Sequence, residues 1–291
     1  MPRINHNVSA MVTTGAMHKT ERDISKTLEK LSTGLRINRA ADDAAGLSIS
    51  EQLRTQVKGL GMGNRNLQDG AALLNIAEGA LNEVSSMLQR IRELSIQSAN
   101  DTLTANERTY VQVEVDGLVS EIDRIAKSTQ YNGMNLLSGT SAFGGTVGAT
   151  NGGVIQAGPN ATANDIIYVK IGTITAQGLA INTPNSVPAG TNCDVRTQTG
   201  ATASLVSIDA ALNVVNTLRA DLGAKTNRIE HSLSNQENQE QNMQAAESVI
   251  RDTDFAAETT KFTRDQILSQ SSTAMLAQAN QIPQSVLKLL Q

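Results

Sequence analysis

Leu53 to Leu94 reads LRTQVKGLGMGNRNLQDGAALLNIAEGALNEVSSMLQRIREL. Leu53, Leu60, Leu67, Leu74, Leu81 and Leu88 each fall seven residues after the last, and Val57, Ala71, Val84 and Ile91 sit three or four residues away. That repeat is the seam of a coiled coil or of a helix in a bundle. Gly59, Gly61, Gly63, Gly70 and Gly79 interrupt it, each costing about 1 kcal/mol against Ala in an isolated helix. Tertiary or intersubunit packing must therefore hold the segment together.

Downstream the helix should stop around Asn100-Asp101, and Thr104 followed by Glu107 has the spacing of a capping box that opens a second helix. Its stripe is Val111, Val115, Leu118, Ile122 and Ile125, and Tyr131-Asn132-Gly133 should end it, with Asn-Gly supplying positive φ. Ile208, Val215, Leu222, Ile229, Met243 and Ile250 repeat the seven-residue step, with Gln236 the one polar member. A helix over 205–250 would span roughly 70 Å, which predicts a rod.

Between these flanks, from Leu136 to Ser204, the only ionisable acids and bases are Asp165, Lys170, Asp194 and Arg196. Within it, Ile167 to Ile171 alternate as a half-buried strand, with Thr173-Ile174-Thr175 continuing the β-branched character, so one or two hairpins are expected. Pro184 to Gly200 reads as an exposed loop.

The ends carry apolar stripes of their own: Ile4, Val8, Met11, Met17, Ile24, Leu28, Leu31 and Leu35 at one, Leu268, Met275, Ala279, Ile282, Val286 and Leu289 at the other. Lone helices of this length are marginal in water. Each terminus needs a partner, the simplest being the other terminus, with neighbouring copies covering the remaining apolar surface. The fold class is thus mainly α, an elongated antiparallel helical bundle with paired terminal helices and a small β-hairpin region in the middle.

Composition excludes several functions. Only 2% of the 291 residues are aromatic and 39% are hydrophobic, which suits aliphatic helix packing. A net charge of −4 offers no surface for nucleic acid. No run approaches a membrane span and no cleavable leader is evident. Neither terminal stripe has the Lys/Arg-dominated polar face or the Trp of a membrane-surface helix, so membrane insertion is not expected. A single cysteine, Cys193, forms no internal disulfide and reads as an incidental thiol. Asp42-Asp43 and Asp252/Asp254 suit helix N-termini better than metal ligation, and His6, His18 and His231 lie far apart without a metal motif. Neither a nucleophile with its base, a phosphate loop nor a metal cluster is present; the sequence reads as a non-enzyme without cofactors.

Leu31-Ser32-Thr33-Gly34-Leu35-Arg36-Ile37-Asn38, Asp42-Asp43-Ala44-Ala45-Gly46, Leu88-Gln89-Arg90-Ile91-Arg92-Glu93-Leu94 and Gln97-Ser98-Ala99-Asn100 closely resemble bacterial flagellin. So do Arg219-Ala220-Asp221-Leu222-Gly223-Ala224 and the run Ala274 to Leu287. The likeness covers roughly residues 1–139 and 203–291.

The resemblance implies a subunit that polymerises with itself into the flagellar filament, the helical propeller of swimming. In domain terms it implies 1–44 plus 253–291 as an inner core of paired helices, 45–181 plus 203–252 as an outer core with β-hairpins, and 182–202 as a short variable surface loop. Self-assembly then falls to Ile4, Val8, Met11, Ile24, Leu28, Leu31, Leu35, Leu268, Met275, Ile282, Val286 and Leu289. Implied partners are the flagellar export apparatus, an export chaperone, and cap and junction proteins. Gln89, Arg90, Leu94 and Glu114 match positions that the vertebrate Toll-like receptor contacts. The implied location is the filament, secreted or extracellular, with a periplasmic filament the other possibility. Alternatives are a hook-filament junction protein, which shares the terminal-helix plan, and a secreted helical translocator.

Overall fold

The structure is a computed structural model, and it describes residues 7–139, 152–182 and 193–288. Side chains are described as far as residue 281. Five helices and four short strands follow in order: α1 Val8–Thr33, α2 Ala44–Ser98, α3 Ala105–Ser128, β1 Gln130–Tyr131, β2 Met134–Asn135, β3 Gly153–Gln156, β4 Ile166–Val169, α4 Gln198–Arg251 and α5 Phe255–Lys288. Two units emerge: one of Met1–Val57 and Gln241–Gln291, the other Lys58–Glu240.

In the second unit the leucine repeat is the core. Leu60, Leu67, Leu74, Leu81 and Leu88 are at most 1% exposed, as are Ile208, Val215, Leu222 and Ile229 of α4. From α3, Val115 and Ile122 of the expected stripe join them together with Val119 and Ala126, while Val111, Leu118 and Ile125 are only partly buried against the core. The two long helices run antiparallel: Arg92 pairs with Asp209 at 2.7 Å, and Asn64 Nδ2 donates to Glu240 Oε2 at 2.8 Å. By length and composition alone α4 could cross a membrane, while Ile208, Val215, Leu222 and Ile229 of its stripe are buried in this core.

The α2 glycines have a tertiary reason. A β-carbon on Gly63 would collide with the Ala157 carbonyl, one on Gly70 with the Ile155 side chain, and one on Gly59 with Pro159. The chain around β3 therefore lies directly on a helix face stripped of side chains. The helical cost of glycine is offset by burial of Ile155 and Ala157.

The local signals act as read. Thr104 and Glu107 form a complete capping box at α3. Asn132 and Gly133 take φ of 48° and 77°, the two-residue turn joining β1 to β2, where Gln130 pairs Asn135 and Tyr131 pairs Met134. In the second hairpin Gly153 pairs Val169 and Gln156 pairs Ile166.

Three readings change. Thr173 to Thr175 is not strand: Ile174 N–H donates to Leu137 O, and Ile174 is fully buried while Thr173 is exposed. Of the loop predicted from Pro184 to Gly200, residues 184–192 lie outside the described residues, and Gly200 belongs to the first turn of α4. Cys193 lies in a turn ahead of α4 but is fully buried rather than exposed. The Gln112 side chain clasps the same segment, donating to Cys193 O at 3.2 Å and accepting from Val195 N at 2.7 Å. Ser98 Oγ donates to Val195 O. A side-chain amide thus substitutes for a strand partner, which periodicity cannot show.

Candidate assembly surface

In the first unit, α1 and α5 pair with each other, as expected for two helices each marginal alone. Asn7 caps α1, accepting from Ala10 N at 3.1 Å, while its Nδ2 donates to Ala279 O at 2.9 Å, so one side chain ties the start of α1 to α5. At the other end Gly34 terminates α1 with φ of 73°, and the Phe255 ring approaches 3.9 Å from where its β-carbon would stand.

The connectors are stitched alongside. Arg36 N and its guanidinium donate to the carbonyls of Arg251 and Ile250, closing the end of α4. Thr253 N donates to Gly34 O. Arg251 pairs with Glu51 at 2.6 Å.

Two of the aspartates weighed as metal ligands, Asp43 and Asp254, are helix caps, while Asp252 bonds the Ser248 hydroxyl. Asp43 accepts from Gly46 N at the start of α2, and Asp254 from Ala256 N and Ala257 N at the start of α5. The backbone N–H groups of Arg39 and Asn38, with Lys30 and Lys26, hold the Asp42 carboxyl below its ordinary range. His18 pairs with Glu21, His231 is exposed, and His6 lies outside the described residues.

The terminal stripes divide into two sets. Ile24, Leu31 and Leu35 are half-buried, as is Met17, while Thr27 and Ala279 are buried. Val8, Met11, Leu28, Leu268 and Met275 stay exposed, between 47% and 69%. With Val12 and Ile267 they give this unit an apolar exterior that is open among the described residues. Part of it is a groove of about 550 Å³ lined by Val8, Val12, Ala16, Met275 and Ala279. Glu258, missed by the stripe, is only 6% exposed and pairs with Lys261 at 3.0 Å. Ile4 and Leu289 lie outside the described residues; Ile282 and Val286 belong to α5 without described side chains.

In the second unit Gln89, Arg90 and Glu114 are exposed. Arg90 Nη2 and Nε donate to Glu114 Oε1 at 2.8 and 3.0 Å and Nη1 to Glu93 at 3.2 Å. Glu114 foremost, then Glu93, raise the Arg90 guanidinium above its usual value. Leu94 departs from this group: at 2% exposure it is a core residue, on the same inward side of α2 as Ile91 three residues before it, and offers no surface for direct contact.

Comparison with known proteins identifies the chain. The N-terminal helical region of bacterial flagellin matches residues 4–142, and the C-terminal helical region matches 205–290. The chain belongs to the bacterial flagellin family. The match extends through the middle: flagellin FlaB2 of Treponema pallidum is 44% identical over 288 residues, 99% of both chains. A flagellar filament 33 kDa core protein of Treponema phagedenis is 45% identical over the same coverage. Flagellin of Bacillus subtilis is 43% identical over 303 aligned positions, 99% of both chains. A solved structure from Vibrio parahaemolyticus, described as a flagellar hook-associated protein, has a TM-score of 0.58 at 17% identity over 72% of this chain and 99% of that one. It shares the fold alone, so the alternative of a junction protein draws no support beyond architecture, whereas flagellins match end to end.

Proposed function

We propose that this flagellin is the structural subunit of a bacterial flagellar filament and acts by self-assembly rather than catalysis. The observation that carries the reading is the uncovered apolar exterior of the α1/α5 pair: Val8, Met11, Leu28, Leu268 and Met275 in a chain aligned over its whole length with filament core proteins. Burying each such side chain against a neighbouring copy is worth about 1.5–3 kcal/mol, and heterologous contacts that do not close propagate as a helix. Residues 1–44 with 253–291 would form the inner layer, 45–181 with 203–252 the outer one, and 182–202 the exposed loop.

Export through the flagellar apparatus, handling by an export chaperone and contact with cap and junction proteins follow from the same family reading, as does a filament outside the cytoplasm. Exposed Gln89, Arg90 and Glu114 support contact with the vertebrate Toll-like receptor, with Leu94 acting through the packing beneath them. Electron microscopy of the purified full chain tests the main proposal. Long filaments of uniform diameter are expected; soluble subunits under all polymerising conditions would overturn it.

A further inference from the structure

The long helices α2 and α4 each bury one large amide where they face each other. On α2, Asn64 stands midway between Val57 and Ala71; on α4, Gln236 interrupts the run from Ile208 to Met243. They are 8% and 7% exposed. Asn64 donates to Glu240 Oε2 at 2.8 Å. Gln236 Oε1 and Glu240 Oε1 approach α2 at its glycines, 3.2 Å from a β-carbon position on Gly63 and 3.3 Å from one on Gly61. Neither Asn64 Oδ1 nor Gln236 Oε1 has a hydrogen-bond partner. Two buried amides, each with an unused oxygen, oppose the stability of a seam that leucine would support.

We propose that Asn64, Gln236 and Glu240 form a register lock between α2 and α4. The rest of the seam cannot distinguish the native alignment from one displaced by seven residues. Leu60, Leu67, Leu74, Leu81 and Leu88 recur at that step, as do Ile208, Val215, Leu222 and Ile229, so a slide of one repeat exchanges aliphatic for aliphatic. The polar layer breaks the equivalence. Displaced by seven, Gln236 would lie where Ile229 or Met243 packs, Asn64 would face aliphatic side chains, and Glu240 would lose its amide donor. A polar residue buried at one seam position sets alignment in this way at some cost in stability. The Arg92–Asp209 pair marks the same alignment, but its side chains are 45% and 50% exposed, too wet to discriminate strongly.

The test replaces the layer by Asn64→Leu with Gln236→Leu in full-length chain carrying Cys193→Ala. Reporter cysteines report alignment during refolding from denaturant with a short bis-maleimide: Arg92→Cys with Asp209→Cys for the native register, and Arg92→Cys with Thr202→Cys or Asn216→Cys for the two displaced ones. With the layer intact, only the native pair should cross-link. In the double leucine variant displaced products should rise about tenfold or more while the melting temperature rises. Each single leucine variant should melt below the double, because it leaves one amide against an aliphatic partner. Exclusive native cross-linking in the double variant overturns the proposal. So do displaced products with the layer intact, additive effects of the two single changes, or failure of the double variant to regain helix where the singles do.

Discussion

Leu94 shows how a single side chain can be misassigned when resemblance is carried position by position. Its neighbours Gln89 and Arg90 are exposed, yet it is 2% exposed in the core, because it falls three residues after the fully buried Ile91, on the inward side of α2. Leu94→Ala should cost about 2–5 kcal/mol of folding free energy, read as a lower midpoint in urea, whereas Arg90→Ala, which breaks only exposed ion pairs, should cost under about 1 kcal/mol. Equal losses would remove Leu94 from the core. Cys193 was legible as a lone thiol, but its burial was not, since no period governs its segment. Burial pushes its pKa to about 12, with the Ser204 hydrogen bond opposing. Native protein should therefore resist maleimide at pH 8 and label fully on unfolding; rapid native labelling would contradict the burial.

At the scale of elements, helix boundaries were readable wherever a side chain satisfies the backbone locally, as Thr104 and Glu107 do for α3. The backbone N–H of Thr104, helped by its side chain, holds the Glu107 carboxyl below its ordinary value of 4.5. A carboxyl lowered in the fold adds stability above its unfolded pKa and loses it as pH falls through the folded one. Glu107→Ala should thus melt lower than the parent at pH 7, with the gap closing in acid below 4.5; a gap independent of pH would deny the charge a role. The hairpin around Ile167 announced itself by alternation, but Thr173 to Thr175 misled, since only Ile174 turns inward and its N–H bonds the Leu137 carbonyl rather than a paired strand. For α5, deleting Ile282 to Gln291 should leave the second unit helical by circular dichroism and abolish polymerisation. Filaments of normal length from the truncated chain would count against the terminal helices as the assembly surface.

For the whole molecule, the two units differ in how completely they bury themselves. Lys58–Glu240 has a continuous aliphatic core, while the α1/α5 pair leaves Val8, Met11 and Met275 outside. Amide exchange in free subunits should accordingly be slow along α2 and α4 within that core and fast through α1. On polymerisation α1 should become protected; strong protection of α1 in the free subunit would mean it needs no neighbour.

The sequence by itself determined the helices, their apolar stripes, the caps and turns, and the requirement that the termini find partners, because each follows from spacing of three to seven residues along one chain. Tertiary structure alone decided which face of each terminal helix meets the other and which stays outside. It also revealed that the α2 glycines make room for the chain around β3, that Gln112 clasps the segment of Cys193, and that Asn64 bonds Glu240 while Gln236 comes up against Gly63. Those pairings join residues far apart in sequence, and an aliphatic stripe records that a surface must be buried without recording against what.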